Sequence, residues 1–267
     1  MNLCMKRIII PLIFLAALNA CSEKEYANDR TSGDIICLVP EIMDMTKAGN
    51  DPGSLTSFGL VVSTEASGQL FSGEMVPDGG RWVTASGGLL FWGLDNADTD
   101  FFAFVPYSEN VSPDAPFQVS VALDQTQSGS VASSDFMTAR TVASRDGGDV
   151  RLEFAHRFSK INVYVTLDGS PVEKDLLTEV SVDGLKTMAV FDPEDCTVVP
   201  DGEPSEIYMY KDSDCFTCMT VPQSVESGDL SLTIVYDGDT FLWTSGEKVS
   251  LEPGTEYTLA INAVTTK

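Results

Sequence analysis

The chain is written mostly in alternation: apolar and polar residues change places at every second position over short stretches bounded by Gly, Pro, Asn or Asp. That period sets alternate side chains on opposite faces of a β-strand, and helical spacing is nearly absent. The clearest hairpin runs through Leu230–Tyr236, turns at Asp237-Gly238 and returns through Asp239–Trp243. Asp-Gly suits a type I′ turn, because Gly accepts positive φ and Asp bonds its own backbone. Further strands are predicted over Ile35–Val39, Phe58–Ser63, Arg81–Ala85, Leu89–Trp92, Phe101–Val105, Phe117–Leu123, Val150–Phe154, Ile161–Leu167, Glu179–Val182, Ile207–Tyr210, Cys215–Val221 and Tyr257–Ala263. Only Ser134–Thr138 offers a turn or two of helix. Short strands at this spacing predict an all-β chain built as sandwiches.

One alternation breaks its own phase. Leu152, Phe154, His156 and Phe158 keep the apolar face on even positions, whereas Ile161, Val163, Val165 and Leu167 keep it on odd ones. A strand cannot hold one buried face through such a slip. A bulge, or a crossing from one sandwich to the next, is therefore expected at Phe158–Lys160. The sequence divides into 1–20, 21–32, an N-terminal sandwich over 33–157 and a C-terminal one over 158–267.

Residues 1–20 read as an export signal. Lys6 and Arg7 precede an apolar stretch, Ile8–Leu18, that is too short for the roughly 20 residues a bilayer span requires. Leu18-Asn19-Ala20-Cys21 resembles a bacterial lipobox, which implies cleavage between Ala20 and Cys21 and acylation of Cys21, with palmitate among the acyl groups. Ser22-Glu23-Lys24-Glu25 then resembles the short acidic tags that send lipoproteins to the outer face of the cell.

Charge and cysteine content narrow the picture. Loss of residues 1–20 leaves 14 basic against 40 acidic residues, a net charge of −26, on a chain that is 43% hydrophobic before cleavage. Such a surface repels phosphate backbones, so nucleic acid is excluded as a partner. Cys37, Cys196, Cys215 and Cys218 remain beyond Cys4 and Cys21. They read as structural thiols or one disulfide, with the pairing open. Cys215 and Cys218 also have redox or zinc spacing, but no second pair or nearby His completes a metal site, and on a strand they diverge.

Candidate chemistry is thin. The one histidine, His156, lies on an apolar phase between Phe154 and Phe158 and reads as a hydrogen-bonded core residue rather than an acid–base catalyst. Asp95–Asp100 lacks the Gly and Glu of an EF-hand, holding Asp100 and Pro106 at those positions. Trp82, Trp92 and Trp243 fall in predicted strands, where aromatic rings usually fill cores. No catalytic residue, metal ligand or cofactor is assigned, and the reading is of a protein without enzymatic activity.

Several segments, in order, carry a resemblance: "GRWVTASGGLLFWGLDNADTDFFAFVPYS" (80–108), "SDFMTAR" (134–140), "VRLEFAHRFSKINVYVTL" (150–167) and "MTVPQS" (219–224). Together they resemble the fimbrillin family of lipoprotein pilus subunits. The resemblance implies two tandem transthyretin-like β-sandwiches, placement on the outer membrane or in a fimbrium, and assembly with other pilus subunits by donor-strand exchange. In that scheme a protease removes the first strand and a neighbour's strand fills the groove. The plug would be Ile35-Ile36-Cys37-Leu38-Val39, terminated by Pro40.

"MTKAGND" (45–51) resembles the family's cleavage segment, with Lys47-Ala48 where an Arg is usual; Arg30 is the alternative cut. The segment after Tyr257–Ala263 is shorter than in polymerising relatives. The resemblance thus implies a minor, tip or anchor subunit with a role in adhesion, ahead of a stalk subunit. The competing expectation is a monomeric surface lipoprotein that binds carbohydrate or another host or bacterial surface ligand.

Overall fold

The computed structural model describes residues 34–45, 55–93, 97–109 and 111–263. Ala20, Cys21, Arg30, Lys47 and Ala48 lie outside them, as does part of the Asp95–Asp100 loop. The chain is nearly all β, as its alternation implies. The first half holds β1 (Leu38–Ile42), β2 (Phe58–Thr64), β3 (Gly68–Asp78), β4 (Arg81–Thr84), β5 (Thr99–Val105), β6 (Phe117–Ser120), α1 (Ser128–Ser133), β7 (Met137–Ala143) and β8 (Val150–His156). Seven of these strands form one sheet in the order β1-β8-β7-β5-β2-β3-β4. In a flat sheet β2 and β8 would stand about 14 Å apart, three strand spacings. The rings of Phe58 on β2 and Phe154 on β8 are 5.5 Å apart, so the sheet curls over and encloses a core.

The second half comprises β9 (Ser159–Leu167), β10 (Ser170–Pro171), β11 (Leu177–Asp192), β12 (Thr197–Tyr208), β13 (Tyr210–Asp212), β14 (Cys215–Thr220), β15 (Gln223–Val225), β16 (Ser231–Tyr236), β17 (Asp239–Thr244), β18 (Val249–Leu251) and β19 (Glu256–Ala263). One sheet runs β10-β9-β14-β13 with β19 on the other side of β9. A second runs β12-β11-β16-β17, and β6 from the first half pairs with β11.

Two apolar clusters organise these sheets. Phe58, Leu60, Val62, Phe101, Ala103, Leu152 and Phe154 share the first. The second runs between the sheets of the second half and continues onto Val61, Phe102 and Phe104 on the opposite face of the first sheet. β5 is thus buried on both faces, which is why "FFAFV" reads as an unbroken apolar run. Phe136, Phe158, Phe117 and Phe191 knit the halves together, with Phe136 5.0 Å from Phe191 and 5.5 Å from Phe158 between ring centroids. Gly59 faces Phe104 across the β2–β5 ladder, and a Cβ there would fall 2.2 Å from the Phe104 ring.

The phase slip marks a change of sheet: β8 ends at His156 in the first sheet and β9 begins at Ser159 in the next. Asp237 and Gly238 both have positive φ, 50° and 81°, in the expected hairpin. Other expectations fail. The helix lies at Ser128–Ser133, and Met137–Thr138 opens β7, whose Met137 and Ala139 bury against the first core. The eleven-residue β3 was not expected, because most of its residues are exposed and its alternation is faint. Leu89–Trp92 is no ladder strand but holds a single bridge, Phe91 to Ile35.

Candidate strand-docking groove

The first described segment is the candidate site. Its position corrects the sequence expectation: the strand runs Leu38–Ile42, with Ile35 in the bridge to Phe91 and Pro40 inside the strand instead of ending it. β1 lies parallel to β8, with Leu38 opposite Val150 and Ile42 opposite Phe154. The Val150 N–H donates to the Cys37 carbonyl at 2.8 Å, and the Met43 N–H donates to the Phe154 carbonyl at 2.8 Å. Odd-numbered amides therefore face β8 and even-numbered ones face the free edge. Pro40 has no N–H to lose on the paired side, so the edge tolerates it.

Upstream, the Ile36 N–H donates to the Leu90 carbonyl at 2.9 Å and the Trp92 N–H donates to the Asp34 carbonyl at 2.8 Å. Asp34 also forms an ion pair with Arg145. The segment thus crosses from the Leu90–Trp92 backbone onto β8. Ile36 and Leu38 are buried in the first core beside Trp92, Leu152 and Phe154. A cleft of about 220 Å³ adjoins this edge, lined in part by Ile35, Leu38, Pro40, Arg81, Trp82 and Asp149. It separates β1 from β4, the two ends of the curled sheet. The Glu41–Arg151 pair at 3.6 Å is exposed and adds little.

The junction between β8 and β9 lies at the far end of the groove. His156 is buried and its Nδ1 lies 2.8 Å from Asp135 Oδ1, the hydrogen-bonded core histidine expected. Its Nε2 has no hydrogen-bond partner among the described residues. Gly254 donates its N–H to the Phe158 carbonyl at 3.0 Å with φ of 62°, and a Cβ there would lie 3.1 Å from the His156 carbonyl oxygen. A residue other than glycine would push this turn off the junction.

The remaining candidates are structural. Trp82 packs 4.7 Å from Phe58, Trp92 packs 5.7 Å from Phe101, and Trp243 packs against the second core. None of the three forms an exposed platform. Cys215 and Cys218 diverge along β14: Cys218 is fully buried, and burial pushes its thiol up to about 12. Cys215 is half-buried beside Tyr164, with its thiol raised mainly by burial. Among the described residues no group of three His, Cys, Asp or Glu side chains is placed to hold a metal ion.

A match to the fimbrillin-like family covers residues 46–267. The chain belongs to that family. It is a structural-subunit family, and this fimbrillin-like chain is not an enzyme. A Bacteroides uniformis protein, "Putative fimbrium subunit Fim1C", is 24% identical over 213 residues, 74% of this chain and 68% of its own length. A crystal structure of a "putative cell adhesion protein" from Bacteroides uniformis superposes with a TM-score of 0.64 at 18% identity, covering 88% of this chain and 95% of that one. A "fimbrial protein" from Bacteroides ovatus gives 0.51 at 14% identity, covering 88% of this chain and 50% of that one. At these identities the solved structures establish a shared fold.

Proposed function

We propose that this fimbrillin-like chain is a lipid-anchored structural subunit of a cell-surface fimbrium, with a role in adhesion, built from two tandem transthyretin-like sandwiches divided near residue 158. It assembles with other pilus subunits by β-strand exchange and sits at a minor, tip or anchor position. Cys21 carries the lipid after cleavage behind Ala20, and the acidic residues Glu23 and Glu25 direct the protein to the outer face of the outer membrane. Residues Ile35–Val39, extended by the strand to Ile42, are the plug, and a cut at Lys47-Ala48 releases it, whereas the alternative cut at Arg30 frees the lipid and leaves the groove filled. The relatives' names support the fimbrial and adhesive role.

The observation that carries this reading is the seat of β1. β1 is an edge strand with a single ladder neighbour among the described residues, its segment buries Ile36 and Leu38 and bonds upstream to the Leu90–Trp92 backbone, and the Lys47-Ala48 segment follows it. Its loss would expose an unpaired β8 edge and an apolar trough, which a donated strand would cover. Mass spectrometry of the native surface protein tests the reading. A diacylglyceryl or triacyl mass on Cys21, together with a fraction starting at Ala48, is the expected result. A uniform unmodified N-terminus elsewhere would refute both the anchor and the maturation step.

A further inference from the structure

The segment that fills the groove does not stop at the first core. Ile36 and Leu38 are buried in the first apolar cluster, with Ile42 packed against it, but Met45, only 2% exposed, belongs to the second. The parallel register explains how. Ile42 lies opposite Phe154, and three residues further the chain stands about level with Arg157, between His156 and Phe158. There the neighbouring chain itself passes from the first sheet to the second, and its buried side chains pass from the first cluster at Phe154 to the second at Phe158. The segment changes core at the same level, and does so by changing parity: residues 36, 38 and 42 are even and residue 45 is odd.

We infer that the groove reads a two-phase strand. Its occupant is an extended peptide parallel to β8, with apolar side chains at positions one, three and seven in one phase and at position ten in the other. The last side chain crosses the junction and enters the core shared by the two halves. This rests on the strand-exchange reading above and adds to it a rule for the donor. A strand whose apolar residues keep strictly to the odd positions matches the first core but places a polar side chain at position ten, where the second core takes an apolar one. The occupant therefore also closes the seam between the halves, because Met45 packs in the cluster that holds Phe136, Phe158 and Phe191.

The test uses the full chain with a specific protease site placed within residues 48–51, folded and then cut, so that the segment up to residue 47 stays bound without a covalent link. Excess synthetic peptide corresponding to residues 34–45 is expected to displace it. A peptide carrying Leu38→Asp should compete about 10- to 100-fold less well, as expected for losing one fully buried apolar side chain. Peptides carrying Met45→Asp, or lacking Asp44 so that the methionine moves by one residue, should lose as much, whereas Glu41→Gln should stay within about threefold. If the Met45 and Asp44 variants compete as well as the parent while Leu38→Asp does not, the two-phase rule is overturned and strand exchange stands. If the parent peptide displaces nothing, the exchange reading falls and the rule with it.

Discussion

β1 and β19 hold matching places in the two halves of the chain and are retained very differently. Each is an edge strand, and each runs parallel to one of two consecutive strands, β8 and β9, while every other named ladder among the described residues is antiparallel. β1 pairs over five positions and β19 over eight. Both strands are fixed at both ends by backbone bonds: Val150 N–H to the Cys37 carbonyl and Met43 N–H to the Phe154 carbonyl for β1, Lys160 N–H to the Thr255 carbonyl and Asp168 N–H to the Ala263 carbonyl for β19, all between 2.8 and 3.0 Å. The Tyr257 hydroxyl accepts from the Glu252 N–H at 2.7 Å, and Asn162 donates to Glu256. The matching outer pair on β1 is the exposed Glu41–Arg151 contact. The same topological position therefore holds a long ladder in one half and a short one in the other. Ladder length and the side-chain bonds along it make the difference.

The most severe way to test this contrast is to start the chain at Ala48. That removes Ile36, Leu38 and Met45 from two cores, at about 1.5–3 kcal/mol for each buried side chain, a large share of a typical 5–15 kcal/mol. Melting temperature should drop steeply or the protein should oligomerise on a sizing column. A monomer with unchanged melting would make β1 peripheral.

Single truncations sharpen it. Ile261→Ala on β19 should cost about 2–4 kcal/mol in denaturant unfolding. Leu38→Ala should act mainly on local opening and accelerate labelling of the neighbouring Cys37 thiol. Equal effects of both changes on Cys37 labelling would erase the distinction. Cys218 provides the reference for global opening. With its thiol raised from 9 to about 12 by burial, it should resist alkylation at pH 8 until the whole chain unfolds. Because the folded value is the higher one, its stabilising contribution is intact below pH 9 and is lost as pH climbs toward 12.

The junction gives the next effect down. Gly254→Ala meets a positive φ and the His156 carbonyl, so a loss of about 1–2 kcal/mol is expected in thermal unfolding. Glu41→Ala should change stability by no more than about 0.5 kcal/mol, and a larger loss would mean that β1 is held by its exposed pair and not by its buried side chains.

Much of this was legible along the chain. The Asp237-Gly238 hairpin, the two phases on either side of Phe158–Lys160 and the buried role of His156 follow from local pattern, since each depends on neighbours in sequence. The groove was legible only in outline. An apolar run at Ile35–Val39 announced a buried strand, but its register moved to Leu38–Ile42, because the pairing with β8 and the bridge to Phe91 are contacts over more than fifty residues. β3 and β7 escaped for related reasons. β3 is largely exposed and carries little apolar signal, and β7 takes its buried face from β5 and β8.

The sequence by itself determined the strand-rich class, the hairpin turn chemistry, the acidic surface and the point where buried parity changes, because period, turn residues and charge act over a few positions. Only the tertiary structure decided that the sheet of the first half curls on itself, that β6 crosses to β11, and that Met45 leaves the core its own strand serves to enter the other. Those outcomes depend on which distant faces meet. Alternation specifies that a side chain is buried but carries no information about which of two cores receives it.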